Sequence, residues 1–300
     1  MHFSAKFLKQ TNKEKKIIEF DKVFKFKKNN EIILPLGSCF LDIFCAELVK
    51  KKYNICFNQK PTTTVNNNLR FFHGNFFNPL NLLNNLERVV LKKWSLKDKD
   101  YIYSKEFGHY INLYVKARFI TQDLKSLKNK VKEIDKYFLN EIKKSTIILL
   151  SFDTNEAWTD RYSKKTWYSF YGNIFNEKPF NNRAELKVLN YETLKETIKK
   201  IINILSKVGK KKKFILMTSP NKLWSTFQNK DIELSQSYST STYNSVFNDL
   251  SSKNISYFPS FEIFNNLNER KKYRKDYRHI NNKTVYNIME PYFNKMYFKK

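Results

Sequence analysis

Ile32, Ile33 and Leu34 run through Pro35 and Leu36 to Gly37, a short apolar stretch closed by glycine, and this predicts a buried strand. The spacing then changes: Phe40, Phe44 and Leu48 fall four apart with Ile43 beside them, the period of a helix. The residues from Gly37 to Phe40 are therefore a turn between a strand and a helix, where open parallel sheets place their sites. The same alternation continues along the chain. A short strand is expected over 53–57, a helix through Leu82, Leu83, Leu86, Val89 and Val90, and a helix over 124–142 carrying Leu127, Val131, Ile134, Phe138 and Ile142 on one face. Ile147, Ile148, Leu149 and Leu150 make the clearest central strand, followed by a polar and aromatic loop with Asp153, Thr154, Asn155, Glu156 and Trp158. Next come a helix over 193–208, a strand over 214–217 halted by Thr218, Ser219 and Pro220, a helix over 240–250, a strand over 255–258 stopped by Pro259, and a last helix over 283–292. Strands alternating with helices predict an α/β fold with a mainly parallel sheet covered on both faces. The stretch 92–118 is less regular, with alternating Tyr and Ile near 101–103 and 110–115, and reads as a small insertion or cap. Residues 1–30, rich in Lys and Asn, read as a basic N-terminal arm, and 31–300 as one domain.

Composition sharpens this picture in two places. The chain has 300 residues, 41% hydrophobic and 16% aromatic, enough for one sizeable core. Its formal net charge is +28, which raises a nucleic-acid partner. The excess is mostly Lys, spread along the whole chain, and Lys lacks the guanidinium fork that reads bases. Weak attraction to polyanions is the reading this supports. The three cysteines, Cys39, Cys45 and Cys56, form no CxxC pair, which argues against a disulfide framework or structural zinc. Lys6 and Lys9 interrupt the start of the chain, so no signal peptide is expected, and no run approaches the ~20 apolar residues of a membrane span. The expected compartment is the cytoplasm. With five glycines there is no phosphate-binding loop and no dinucleotide fingerprint, so no cofactor and no metal are expected.

The candidate chemistry lies at the first turn and near the end of the chain. Among four histidines, only His279 has a carboxylate in a telling position: Asp276, three residues before it. A carboxylate on one ring nitrogen fixes the tautomer and leaves the other nitrogen free as a base. The plainer alternative is a solvated pair in a basic loop with Arg274, Lys275 and Arg278. Ser38 and Cys39 sit on the strand-to-helix turn, where a helix N-terminus favours developing negative charge. The plainer readings are a helix cap for Ser38 and a small core residue for Cys39. Asn75 and Asn155 follow points where the chain turns and are candidate oxyanion donors; Glu156 and Trp158 are candidate pocket residues.

Taken together, these blocks resemble the GSCFA family. Gly37, Ser38, Cys39 and Phe40 carry its signature, with Leu41 where the family has its final Ala. Gly74 and Asn75, then Glu156, Ala157 and Trp158, then Ser219 and Pro220, Thr226 and Phe227, and Ser237, Tyr238 and Ser239 follow in the family's order. Tyr257, Phe258, Pro259, Ser260, Phe261 and Glu262, and finally Asp276 and His279, complete it, so the resemblance covers about 31–293. The family is similar to the SGNH/GDSL hydrolases. That similarity implies a flavodoxin-like three-layer sandwich and a nucleophile–His–Asp arrangement acting on esters, including acetyl groups on sugars. Aligning Gly37 with the Gly of the superfamily's Gly-Asp-Ser places Cys39 at the nucleophile position; shifting by one restores Ser38. The superfamily's Gly-x-Asn-Asp block is not intact, since Asp153, Thr154, Asn155 and Glu156 stand at the comparable strand end. The resemblance implies acyl transfer, with His279 as base for Cys39 or Ser38. Gly74, Asn75 and Asn155 would serve the oxyanion, and an acylated small molecule or glycan would be the substrate. An O-acyltransferase on the same residues, or a non-catalytic glycan- or nucleic-acid-binding protein, are the alternatives.

Overall fold

The computed structural model describes residues 24–27, 30–56, 75–104, 108–115, 123–168, 182–266 and 273–298. At its centre is a parallel four-stranded sheet. Its strands are β1 (Ile33–Gly37), β4 (Ile147–Phe152), β7 (Lys213–Thr218) and β8 (Ile255–Phe258), in that spatial order. Ile55 adds a single parallel bridge to Ile33 on the outer side of β1, so the expected second strand is reduced to one paired residue, with 57 outside the described residues. Counting that bridge, the order is that of a flavodoxin-like sheet, and its direction of winding reverses between β1 and β4. Every residue of β1 and β4 is buried, as strands covered on both faces require.

Helices flank the sheet. Helix α1 (Cys39–Lys50) packs with the C-terminal segment: α7 (Asn282–Thr284), a π-helical turn (Val285–Met289) and α8 (Glu290–Tyr297). Helices α2 (Pro79–Val89), α4 (Tyr191–Ser206) and α5 (Ile232–Leu250) pack in sequence on one another, and α6 (Ser260–Asn265) follows β8. Side chains cap α2, α4 and α5: Asn78 accepts from Asn81 N, Asn190 from Thr193 N, and Asp231 from Glu233 N. Helix α3 (Leu124–Lys144) is capped by Asp123 in the same way. The start of α1 differs, because Ser38 stands at its N-cap position without a side-chain cap bond. Phe26 joins the C-terminal end, its N–H donating to Tyr297 O at 2.7 Å.

One expectation gains detail and two need correction. The irregular stretch 92–118 contains an antiparallel hairpin, β2 (Tyr101–Ser104) with β3 (His109–Asn112). Ile111, Leu113, Tyr114 and Trp167 form a small apolar cluster of its own there; 116–118 lie outside the described residues. The loop expected after β4 turns into a strand, β5 (Glu156–Asp160), antiparallel to β6 (Ala184–Val188). A strand whose partner is distant in sequence and only partly buried leaves little periodicity to read. Helix α5 starts at Ile232, not near 240, because Ser235 and Ser239 take inward positions that hydrophobic spacing does not register.

Gly37 sits hard against the neighbouring strand. A Cβ there would lie 1.8 Å from Ser151 O, a backbone atom that cannot swing aside. Gly37→Ala is expected to lower the unfolding free energy by about 3 kcal/mol, as overpacking against backbone does. At Gly108 a Cβ meets nothing within 4 Å and only the positive φ of +63° opposes it, so Gly108→Ala is expected to cost about 1 kcal/mol. Urea unfolding of both variants checks this; equal losses would contradict it.

Candidate active site

Residues from three strand ends and one tight loop meet at the carboxyl edge of the sheet. The register pairs Gly37 with Ser151, and Ser38 N continues the pairing by donating to Ser151 O at 2.8 Å. Cys39 opens α1 two residues past Gly37, and Asp153 lies two past Ser151, so parallel pairing makes them neighbours: Cys39 Sγ is 3.8 Å from Asp153 Oδ2. Past β7, Asn221 Nδ2 donates to Cys39 Sγ at 3.4 Å, and Asn221 Oδ1 accepts from Ile280 N at 3.0 Å. Ile280 is fully buried, so this bond latches the loop carrying His279 onto the sheet.

The loop itself is a tight turn. Asp276 Oδ1 accepts from the backbone N–H of Arg278 at 3.0 Å and of His279 at 2.9 Å, and Tyr277 adopts a left-handed φ of 56°. Asp276 Oδ2 lies 2.6 Å from His279 Nδ1, and His279 Nε2 faces Cys39 Sγ at 3.4 Å. Arg278 Nη1 also reaches Nε2, at 3.2 Å. A guanidinium can only donate, so Nε2 carries the lone pair and Nδ1–H donates to Asp276. The structure thus brings together Cys39, His279 and Asp276.

The electrostatics favour an uncharged thiol at rest. Burial pushes the Cys39 thiol well above its ordinary value and Asp153 adds to this; Arg278 and the Asn221 hydrogen bond act the other way. Burial also raises the Asp153 carboxyl, against the influence of Ser219, Ser38, Arg278 and His279. Asp276 differs: desolvation raises it, but the hydrogen bonds from His279 and Arg278 win and hold it well below the usual carboxylate range.

The other sequence candidates separate. The Ser38 side chain is buried at the N-cap position, toward Asp153, with no hydrogen bond to His279. Asn75 lies by the end of β1, where its neighbour Phe76 donates from N to Gly37 O at 2.7 Å and its own N–H donates to Tyr168 Oη at 2.8 Å. Gly74 lies outside the described residues. Asn155 is not at the thiol: its Oδ1 accepts from Ser239 Oγ at 2.7 Å and its Nδ2 donates to Leu189 O at 3.1 Å, so its amide ties β4 to α5 and the α4 approach. Glu156 accepts from Phe227 N at 3.0 Å and Gln228 Nε2 at 2.9 Å, and also from Thr226 Oγ1, which fixes the loop after β7.

A cleft of about 520 Å³ begins at Asp153 and Arg278 and is walled by Phe77, Trp158, Trp167, Tyr168, Trp224 and Phe227, with Glu156 also on its lining. Asp153 and Arg278 stood in the sequence only as neighbours of candidate residues, and Asn221 drew no notice. For Asp153 the signal was there, since a residue just past a central strand that pairs with the nucleophile strand must fall beside it. Asn221, two residues beyond Ser219, has no comparable signature. Among the described residues no cluster of three His, Cys, Asp or Glu side chains could hold a metal ion, and no helix is long and apolar enough to cross a membrane.

A thiol, an imidazole and a carboxylate arranged in line at the switch point of a parallel sheet define an α/β protein with a Cys–His–Asp constellation. The GSCFA family model matches residues 32–292, and the chain belongs to the GSCFA family. No curated protein matches the chain. A mutant of an acetyl-xylooligosaccharide esterase from Geobacillus Stearmophilus is a similar solved structure at a TM-score of 0.36 and 12% identity, covering 92% of this chain and 96% of that one.

The depressed Asp276 carboxyl predicts a pH dependence. A carboxyl lowered in the folded state contributes stability above its unfolded value, near pH 4, and that stability is lost as pH falls toward the folded value. The pair is partly exposed, so the contribution is no more than about 1 kcal/mol after screening. The difference in urea midpoint between wild type and Asp276→Asn is expected to be constant at neutral pH and to shrink below about pH 4. A difference that grows on acidification would contradict the assignment.

Proposed function

We propose that the protein is an acyl-ester hydrolase of SGNH-like type in which Cys39 is the nucleophile, His279 the base and Asp276 the residue that orients it. The observation that carries the reading is the aligned pair of contacts, Sγ to Nε2 at 3.4 Å and Nδ1 to Oδ2 at 2.6 Å. The position of Ser38, buried at the helix cap, supports Cys39 over its neighbour.

Because the resting thiol is neutral, its proton passes to His279 Nε2 as the sulfur attacks the ester carbonyl, without a thiolate formed beforehand. Arg278 donates to that same lone pair at rest, so it turns aside as Nε2 is protonated. The oxyanion is held by the Cys39 N–H, which as the first in α1 has no intrahelical acceptor, with the helix start favouring the charge. Asn221 Nδ2 steadies charge on the sulfur. His279 then gives its proton to the leaving alcohol, and a thioester remains on Cys39. Water, activated by the same imidazole, releases the acid; a sugar hydroxyl in its place would make the reaction a transfer. The aromatic cleft supports a substrate with flat apolar faces, such as an acylated sugar ring.

Hydrolysis of an aryl acetate tests the roles. Cys39→Ala and His279→Ala are expected to lower kcat/KM by roughly a hundredfold to ten-thousandfold. Ser38→Ala is expected to stay within about tenfold of wild type, less than 1.4 kcal/mol of barrier. Loss in Ser38→Ala with retention in Cys39→Ala would move the nucleophile to the serine; equal rates in all variants would remove the mechanism.

A further inference from the structure

The proposed reaction makes no use of Asp153, yet this carboxyl borders the sulfur. Its Oδ2 lies 3.8 Å from Cys39 Sγ, the residue is only 6% exposed, and it forms the wall where the aromatic cleft meets the thiol. Its Oδ1 is buried without a hydrogen-bond partner, and the nearby Ser219 and Ser38 hydroxyls favour ionisation less than burial opposes it. An ionised carboxylate with one oxygen buried and unpartnered is costly, and beside a sulfur or carbonyl gaining negative charge it would also repel.

We propose that Asp153 works as a neutral carboxylic acid, donating a hydrogen bond from Oδ2 to the Cys39 sulfur as that sulfur gains charge. The inference rests on Cys39 being the reacting thiol. No proton is transferred by Asp153: the thiol proton goes to His279, and the Asp153 O–H stays on the carboxyl while its hydrogen bond strengthens. A carboxyl kept neutral in an apolar site is an effective donor of this kind. The groups that bear on Asp153 fit this. Arg278 and His279 approach from the C-terminal loop, Cys39 and Ser38 from the start of α1, Ser219 from the end of β7, and the buried Tyr243 from α5. Arg278 and His279 both favour ionisation, but Arg278 is engaged with His279 Nε2 and Lys222 O, and His279 is turned to Asp276 through Nδ1. Burial therefore prevails, and the thiol and the acid share one uncharged pocket.

The test reads the thiol directly, so that it does not depend on ester turnover. Cys39 in the full-length protein is alkylated with iodoacetamide across a range of pH, and the labelled peptide is followed by mass spectrometry. Wild type, Asp153→Asn and Asp153→Ala are compared. Asparagine keeps a donor in place and is expected to slow labelling at neutral pH by less than about threefold, whereas alanine removes the donor and is expected to slow it by about tenfold or more. If both variants label faster than wild type, Asp153 is an anion that suppresses the thiol and the proposal is overturned. It is overturned equally if both slow to the same extent or if neither changes. Should the expected pattern appear in a protein that hydrolyses no ester, the hydrolase reading fails while the role of Asp153 stands.

Discussion

Gly37 and Ser151 approach so closely that no side-chain carbon fits between them. This contact between β1 and β4 is the constraint from which the site follows. Parallel pairing runs through it to Ser38, so the first residue of α1 and the first residue past β4 are held side by side. The winding of the sheet reverses at this pair of strands, leaving a crevice above their carboxyl ends that no crossover helix fills. The cysteine, the buried acid and the mouth of the aromatic cleft all lie there. The histidine arrives from the far end of the chain and is registered by the bond from Ile280 N to Asn221, with Ile280 anchored in the core, and by the bonds between Arg278 and Lys222.

Charge in the site is managed by removal rather than by pairing. The thiol and Asp153 are both pushed toward their neutral forms by burial, and the imidazole is fixed in one tautomer by an arginine on one nitrogen and a carboxylate on the other. Only Asp276, at the rim, is held firmly ionised. A resting site of this kind protects the cysteine from chance reaction. The proposed chemistry begins when a substrate displaces Arg278 and supplies a carbonyl on which the sulfur's charge can be shared.

The central strands and the amphipathic helices were legible in the sequence because their apolar residues repeat with the period of the element and bury in one core. The turn at Gly37 and the Asp276–His279 pair were legible for a different reason: each is a local pattern with a chemical rationale. Elements held by distant or polar partners were harder to read. The strand Glu156–Asp160 pairs with residues near 186, and the first turns of α5 face inward through serines. Asn155 looked available in the sequence because only the fold reveals Ser239 and Leu189 waiting for its amide. Asn221 was hidden for the same reason, its meaning lying in a contact with Cys39 across most of the chain.

The most direct test of Cys39 as the nucleophile is to trap the covalent species. The protein is mixed with an aryl acetate, quenched in acid, digested, and the peptide spanning Ser38 and Cys39 sequenced by tandem mass spectrometry. The account predicts one acetyl group on Cys39, removed by neutral hydroxylamine as a thioester is and absent from His279→Ala. Acetyl found on Ser38, or an unmodified peptide under conditions in which ester is consumed, would contradict it.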